Sequence, residues 1–571
     1  MGSTALLLLP PPSLPLAPPT GSLPALTASL RTHGYQVIQR DLGVEILPML
    51  LDRNFGGKVF QRADDILSAM ESNSSEAAAL ARETRFGRSE FVTVCRVRNG
   101  IRDGAMTRLD ELKNAYAKKD LGTDYKTYRG IQEYYLGMFR LVNFVSRSPV
   151  KWFTEEPTRE AQDLQALVLG ELLADIDWSE ITLLGLSLHP DSVETGLAIA
   201  RMVRRRHPHI HIAIGGDFTT LIDFKSQYDM EDVETLLRKY CDSIIYREGD
   251  TAIVRIMDCL TKGASWDEVP NLIRLKNGQV SLNQPFRCED VKRLPVYDFD
   301  GLPVEQYPGL PVEVSRGCYW AKCSFCRWNL IRTNREMYPP KHPIYGFCPP
   351  ERLIESLKLY QDKYGKNTVD FTCLDVSPPQ MGELCDAVIK AGLDVRWGAR
   401  LRLDKTLTPD LFDRMADAGA YYFHIHPETL TQRTADLHNK GYNIEHILGL
   451  IRYWEDNADR LPPLFLNVFA GFPGETLEDF KETFEILRTG KFHMQWVHYW
   501  WLAKHSTPYN QPRQYGIKIK QRRGTAPLRN YAWEADESVT REIDRIREFL
   551  QENQEIVKDR CRPLPHYTKP E

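Results

Sequence analysis

The stretch that decides the fold is SRGCYWAKCSFC, residues 315–326. It brings Cys318, Cys323 and Cys326 within nine residues, close enough for three thiolates to share one metal centre. Tetrahedral zinc needs a fourth ligand, and the next His or Cys follows only after a long polar stretch. A four-iron cluster held by three cysteines, with one iron left open, fits the spacing better. A zinc-bound or merely buried triplet remains the alternative.

The cysteine stretch opens an alternating series of strands and helices. Strands are predicted at 311–315, 369–374, 395–399, 421–425, 464–470 and 496–502. Helices are predicted near 351–363, 380–391, 409–418, 444–455 and 477–489. Six such repeats predict a full or partial βα barrel, whose chemistry lies at the carboxyl ends of its strands.

A second alternating series precedes the cysteines. Strands are predicted at 6–9, 35–38, 181–187, 210–214 and 243–246, with helices at 23–31, 193–206 and 251–261. This pattern predicts a parallel sheet with right-handed crossovers. Ligands of such sheets bind beyond the carboxyl ends of the strands, where the pair Gly215–Gly216 follows one of them.

The cysteine triplet and the segments after it resemble the radical S-adenosylmethionine (SAM) superfamily. In that family the open iron binds the amino and carboxylate groups of SAM, and electron transfer cleaves SAM to a 5′-deoxyadenosyl radical. The common cysteine spacing there is three residues and then two, whereas here it is four and then two. Some peptide-modifying members carry similar longer insertions.

The resemblance also implies which residues contact SAM. Arg400 and Arg402 follow the third barrel strand, and a guanidinium there can pair with the SAM carboxylate. Residues 426–429 occupy the position of a Gly-x-Glu-Ser segment, and residues 471–476 match a segment that lies near the adenine in relatives. The implied cofactor contacts are Phe325, Arg400, Arg402, Glu428, Thr429, Gly471 and Pro473, beside the metal ligands Cys318, Cys323 and Cys326.

Residues 185–188, 215–216 and 246–250 resemble the cobalamin-binding domain that precedes the barrel in one branch of this superfamily. The implied cobalamin contacts are Ser187, Leu188, Gly215, Gly216, Glu248 and Gly249. Related domains carry a cobalt-binding His in the loop after the first strand, but residues 10–21 contain none. His189 is a substitute ligand or an ordinary capping residue. A dinucleotide site is the rival interpretation, although no Gly-x-Gly-x-x-Gly turn follows the first strand.

The predicted architecture is α/β in three parts. Residues 1–290 are expected to form a Rossmann-like cobalamin-binding domain with a helical insertion at about 51–177. Residues 300–510 are expected to form a partial (β/α)6 radical SAM barrel, and residues 511–571 a basic loop and a helical tail.

The resemblance implies a cobalamin-dependent radical SAM methyltransferase. It would move a methyl group from SAM through methylcobalamin to an unactivated carbon of a peptide or a natural-product intermediate. A rearrangement or cyclisation without methyl transfer is the alternative outcome. The expected partners are that substrate and an electron donor such as flavodoxin or ferredoxin.

Composition limits the remaining classes. A net charge of −4, from 73 basic and 77 acidic residues, gives no overall positive field for nucleic acid. The first apolar run, residues 5–9, is far shorter than the ~20 residues that cross a bilayer. Eleven cysteines without an export signal favour reduced thiols. We therefore expect a cytoplasmic protein that binds neither membranes nor nucleic acid.

Overall fold

The fold is taken from a computed structural model. It describes residues 3–12, 19–72, 85–118, 125–145, 159–284, 286, 288–327, 345–372, 375–522, 524 and 526–561. The predicted strand end at 373–374 lies outside these residues.

The first sheet has seven strands in the order β2-β1-β3-β4-β5-β6-β7. They are β1 (Thr4–Leu9), β2 (Gln36–Asp41), β3 (Ile181–Ser187), β4 (His211–Gly215), β5 (Ser243–Ile245), β6 (Leu272–Lys276) and β7 (Gln279–Leu282). The first five run parallel, which confirms the predicted series, and β6 and β7 add an antiparallel hairpin. All six residues of β1 are buried because helices cover both faces of the sheet.

Ten helices of the described residues belong to this half of the chain. They are α1 (Ser22–Thr32), α2 (Leu42–Leu50), α3 (Arg53–Ser72), α4 (Arg85–Gly100), α5 (Leu109–Lys118), α6 (Tyr125–Val145), α7 (Arg159–Leu172), α8 (Val193–Arg206), α9 (Gln227–Lys239) and α10 (Asp250–Lys262). Helices α2 to α7 lie between β2 and β3, and their apolar residues pack with those of the sheet in one core.

The second sheet has six parallel strands in the order β15-β14-β13-β12-β11-β8. They are β8 (Leu310–Glu313), β11 (Thr368–Thr372), β12 (Arg396–Leu401), β13 (Ala420–Glu428), β14 (Leu464–Ala470) and β15 (His493–Tyr499). The helices between them are α11 (Pro350–Tyr364), α12 (Pro378–Ala391), α13 (Pro409–Asp417), α14 (Gln432–Leu437), α15 (Ile444–Asp456) and α16 (Leu477–Thr489). The sheet has β8 and β15 as its edges, and its curvature into a partial barrel stays a prediction.

The last strand and the tail of the chain differ most from the prediction for the second half. The last strand ends at Tyr499 instead of 502, because Trp500 and Leu502 pack in a separate apolar cluster with Phe472. The predicted basic loop after residue 511 contains an antiparallel hairpin of β16 (Ile517–Gln521) and β17 (Tyr531–Ala535). Its alternating apolar residues are the period-two signal of a strand. The remaining elements are α17 (Thr507–Asn510), α18 (Glu537–Glu552) and α19 (Gln554–Arg560).

A buried ion pair joins the segment after β15 to the first half of the chain. Lys504 is 3% exposed and its ammonium contacts the Asp229 carboxylate on α9. Lys504 Nζ also donates to the carbonyls of Leu528 (2.7 Å) and Leu221 (3.2 Å), so each N–H group of this buried ammonium has an acceptor. These polar contacts connect the segment after the second sheet to helix α9 of the first half.

None of the helices in the described part of the chain combines the length and the apolar character needed to cross a membrane.

Candidate functional site

The cysteine loop leaves the second sheet through a short strand. Strand β9 (Ser315–Gly317) pairs antiparallel with β10 (Tyr345–Phe347), and the cysteines follow directly. Gly317 has φ 85°, a conformation that favours glycine. The chain therefore turns sharply before Cys318.

The segment after α14 fixes the cysteine loop by backbone contacts. The Ser324 N–H donates to the His438 carbonyl (2.9 Å), and the Trp320 indole N–H donates to the Asn439 carbonyl (2.9 Å). The Asn439 side-chain amide donates in turn to the Lys322 carbonyl (2.9 Å). Sequence analysis missed this segment, because its role depends on backbone groups and on the φ of 52° at Asn439.

The three cysteines Cys318, Cys323 and Cys326 lie on one loop. In the described residues no group of three or more His, Cys, Asp or Glu side chains is placed to hold a single metal ion. Zinc requires four ligands on one ion, whereas in a four-iron cluster each cysteine would bind a different iron. That the loop holds such a cluster stays a prediction.

Two buried cations lie beside Cys323. Arg402 Nη1 donates to Cys323 Sγ at 3.8 Å, and Arg402 Nε and Nη2 are buried without a partner. Lys440 is 4% exposed, and its Nζ lies 3.7 Å from Glu428 Oε1. Burial raises the pKa of the Cys323 thiol, while Lys440 and Arg402 oppose that shift. Unpaired buried donors beside a thiol fit an anionic group such as a cluster.

Asp375 faces the same loop from the end of β11. Burial raises the pKa of Asp375 to about 7, against the opposing charges of Arg402 and Lys440. Burial and the Asp375 charge together raise the pKa of the Cys318 thiol to about 11. Asp375 Oδ1 is buried without a partner, so it is available to a ligand that donates a hydrogen bond.

The residues that the resemblance assigns to SAM lie at the same end of the second sheet. Phe325 packs against Phe469 of β14, with ring centroids 4.8 Å apart. Arg400 is exposed near the end of β12, and Glu428 contacts Lys440. The Thr429 hydroxyl lies 3.2 Å from that of Thr483, within the protein core.

A buried carboxyl group accepts hydrogen bonds from the backbone of the segment 471–476. Glu475 is 2% exposed, and its Oε2 accepts from the N–H groups of Gly471 (2.6 Å) and Phe472 (3.3 Å). Gly471 adopts φ 83° and Pro473 follows in the turn. Burial raises the pKa of Glu475 to about 8, against these two N–H groups.

This raised pKa predicts a pH dependence of stability. Because the folded pKa lies above the unfolded value near 4.5, the folded chain keeps a proton between about pH 5 and pH 8 that the unfolded chain has released. The free energy of unfolding should therefore fall as the pH rises through this window, by up to about 1.4 kcal/mol per pH unit. Urea unfolding of wild type and Glu475→Gln at both ends of the window measures the effect.

The Glu475→Gln variant should lose this part of the pH dependence, because an amide does not titrate. Glu478→Gln is the matched control, since the Glu478 side chain is 65% exposed. Equal slopes in wild type and Glu475→Gln would contradict the prediction.

A cavity of about 310 Å³ lies at the carboxyl ends of the first sheet's strands. Five of the six predicted cobalamin contacts line it: Ser187, Gly215, Gly216, Glu248 and Gly249. Leu188 is not among its lining residues; instead, its backbone N–H donates to the Gly215 carbonyl (2.9 Å). The cavity also includes Tyr297 and Arg316, which sequence analysis did not assign to it.

The two adjacent glycines have different roles. A Cβ on Gly216 would lie 2.5 Å from the Leu188 carbonyl oxygen, and its backbone has φ 91° and ψ −173°. A Cβ on Gly215 would meet nothing nearer than Ile245 at 3.8 Å. Gly216 therefore permits close packing of two loops, whereas Gly215 keeps the cavity open.

His189 follows β3 and is half-buried. Its Nε2 is buried without a hydrogen-bond partner, and burial lowers its pKa below the usual value, against the nearby Asp217 and Asp191. His189 does not line the cavity. Its role as a cobalt ligand stays a prediction.

Two ion pairs join the cysteine loop to this cavity edge. Arg316, just before the loop, donates to Asp250 at 2.7 and 3.1 Å. Arg327, just after Cys326, donates to Asp217, which follows Gly216, with an Nη2–Oδ1 distance of 2.7 Å. The loop is thus held at both ends against the first sheet.

Residues 312–487 match the family model described as the Radical SAM superfamily. This match confirms, for the matched part of the chain, the resemblance drawn from the cysteine triplet. The matched stretch contains Cys318, Cys323 and Cys326 and begins within β8.

The chain is also similar to an uncharacterized methyltransferase from Pyrococcus horikoshii. The two are 22% identical over 349 residues, which is 58% of this chain and 70% of that protein. The structure resembles that of the radical SAM methyltransferase TsrM from Kitasatospora setae with cobalamin and a [4Fe-4S] cluster bound. The TM-score is 0.52 at 12% identity, over 92% of this chain and 82% of that one.

A second structure of TsrM, with tryptophan substrate and the SAM analogue aza-SAM bound, gives a TM-score of 0.50 at 12% identity and covers 92% of this chain and 80% of that one. At this identity the likeness concerns the fold alone. It covers 92% of this chain.

Proposed function

We propose that this protein is a cobalamin-dependent radical SAM methyltransferase that methylates an unactivated carbon of a peptide or a natural-product intermediate. Residues 1–290 would bind cobalamin, residues 300–510 would hold the cluster and SAM, and residues 511–571 would close the second half. Flavodoxin or ferredoxin would supply electrons.

The observation that carries this proposal is the attachment of the cysteine loop to the cavity edge. The pairs Arg316–Asp250 and Arg327–Asp217 bracket the three cysteines. The cavity proposed for cobalamin therefore adjoins the loop proposed for the cluster. A reaction that uses both cofactors requires them to be close together. When bound, the cluster and SAM supply a radical and cobalamin supplies a methyl group.

The donor set fits the cluster and SAM. Cys318, Cys323 and Cys326 would ligate three irons, and the open iron would bind SAM. Arg400 is exposed at the strand end and would pair with the SAM carboxylate through its planar fork. Asp375 Oδ1, which is buried and unpartnered, would accept from the SAM amino group.

The cavity fits part of a cobalamin molecule. A volume of about 310 Å³ encloses one arm of so large a cofactor and not the whole. Glycine backbone at Gly215 and Gly249 leaves room for close approach, and Ser187 Oγ lies 3.1 Å from Ser22 Oγ at the polar edge. These residues would hold that part of the cofactor in the cavity.

Anaerobic reconstitution with iron, sulfide and hydroxocobalamin tests the proposal. We expect a brown protein that retains cobalamin, consumes SAM, and releases a product heavier by one CH₂ from tryptophan or from short peptides used as probes. The matched control omits hydroxocobalamin and should still cleave SAM without methylating. A product that has only lost hydrogen would support rearrangement or cyclisation, and a protein without iron or SAM consumption would refute the proposal.

A further inference from the structure

Arg402 is held in an aromatic sandwich next to the cysteine loop. Its guanidinium carbon lies 4.3 Å from the ring centroid of Trp320 and 4.4 Å from that of Tyr442. The residue is 3% exposed. Stacking on both faces fixes the plane of a guanidinium and leaves only its edge to donate hydrogen bonds.

That edge points to a cysteine and not to a carboxylate. Arg402 Nη1 donates to Cys323 Sγ at 3.8 Å, and within the described residues no carboxylate forms an ion pair with Arg402. Lys440 differs, because its ammonium donates to the His426 carbonyl at 2.7 Å and contacts Glu428. The charge of Asp375 acts on Arg402 without a hydrogen bond between them, and Arg402 Nε and Nη2 are buried without a partner, so these donors fit an anionic cluster at the thiolate.

Arg400 offers a contrast on the same strand end. Arg400 is the penultimate residue of β12 and is exposed, whereas Arg402 lies just beyond the strand and is enclosed. The exposed guanidinium of Arg400 can reach a soluble ligand. The guanidinium of Arg402 donates instead to Cys323. The sequence assigned a SAM contact to both arginines, but their surroundings differ.

We propose that Arg402 is a positioning residue that raises the reduction potential of the cluster bound by Cys323. This inference rests on the proposed function. Reduction adds one negative charge to the cluster, and a fixed cation with an N–H···S bond stabilises the reduced form more than the oxidised form. Hydrogen bonds to sulfur and local net charge are the means by which proteins set such potentials.

Redox titration followed by electron paramagnetic resonance tests the inference on the reconstituted full chain without SAM. In Arg402→Gln, the ratio of reduced to oxidised cluster at the wild-type midpoint should fall about tenfold, a shift of about 59 mV to more negative potential. Arg402→Lys keeps the charge and loses the planar fork, so its ratio should fall about threefold.

Arg396→Gln is the matched control. Arg396 also stacks on an aromatic ring, Tyr421 at 5.1 Å, but at the opposite end of β12. Its midpoint should equal that of wild type.

An unchanged midpoint in Arg402→Gln would overturn the inference while leaving the proposed function intact. Loss of the cluster from both Arg402 variants would also overturn it, in favour of a purely structural role. Absence of a redox-active cluster in wild type would instead refute the proposed function.

Discussion

The Cys323→Ala variant, purified and reconstituted without oxygen, is expected to lose both the brown colour of an iron–sulfur cluster and the cleavage of SAM. Cys323 is the middle predicted ligand of the triplet, and the charges of Arg402 and Lys440 act on its thiol. With two cysteines left, a second iron loses its protein ligand in addition to the iron that is left open for SAM. Iron content per chain and the yield of 5′-deoxyadenosine measure the loss.

Cys95→Ala is the matched control. Cys95 lies half-buried on α4 in the helical insertion, far along the chain from the cysteine triplet. This variant should keep wild-type iron content and SAM cleavage. Full iron binding or continued cleavage by Cys323→Ala would mean that the triplet has been misinterpreted.

The Gly216→Ala variant is expected to lose about 3 kcal/mol or more of folding free energy and to bind hydroxocobalamin weakly. Its backbone conformation is almost restricted to glycine, which costs a substituted residue about 1–3 kcal/mol. The new methyl group would in addition lie 2.5 Å from the Leu188 carbonyl oxygen, so the two loops must separate. Urea unfolding and equilibrium dialysis with hydroxocobalamin measure the two effects.

Gly263→Ala provides the comparison for backbone strain alone. Gly263 ends α10 with φ 70°, and a Cβ there would meet no atom within 4 Å. Its cost should be about 1–2 kcal/mol, with cobalamin binding unchanged. A Gly216→Ala variant no less stable than Gly263→Ala would show that the contact with Leu188 is not important.

The sequence predicted both sheets because their strands are long apolar runs separated by helices with clear start signals. It also predicted the cavity edge, since a glycine pair directly after a buried strand is typical of the ligand-binding edge of a parallel sheet. It failed at Trp500 and Leu502, where apolar residues fill a loop core and continue the strand pattern past Tyr499. The local pattern of apolar residues does not predict in which apolar cluster a given side chain packs.

The candidate site was predicted only in part, for a related reason. Spacing identified the cysteines, but Lys440 and Tyr442 reach them from a segment more than a hundred residues away. Arg402 was given a ligand role from its position, whereas its stacking on Trp320 depends on a loop conformation that no motif encodes. Contacts made by backbone carbonyls, as at His438, leave no trace in residue type.

The pairing of Arg316 with Asp250 limits how this enzyme can be divided or recombined. A radical SAM half separated from residues 1–290 would keep the pair of Arg316 with Glu313 but lose the carboxylates of Asp250 and Glu248. Removing one partner of a buried pair costs up to about 3–5 kcal/mol, and Glu313 would offset part of this cost. Chimeras that exchange only one half should therefore express poorly unless both Asp250 and Arg316 are kept. We expect the two halves to be inherited together.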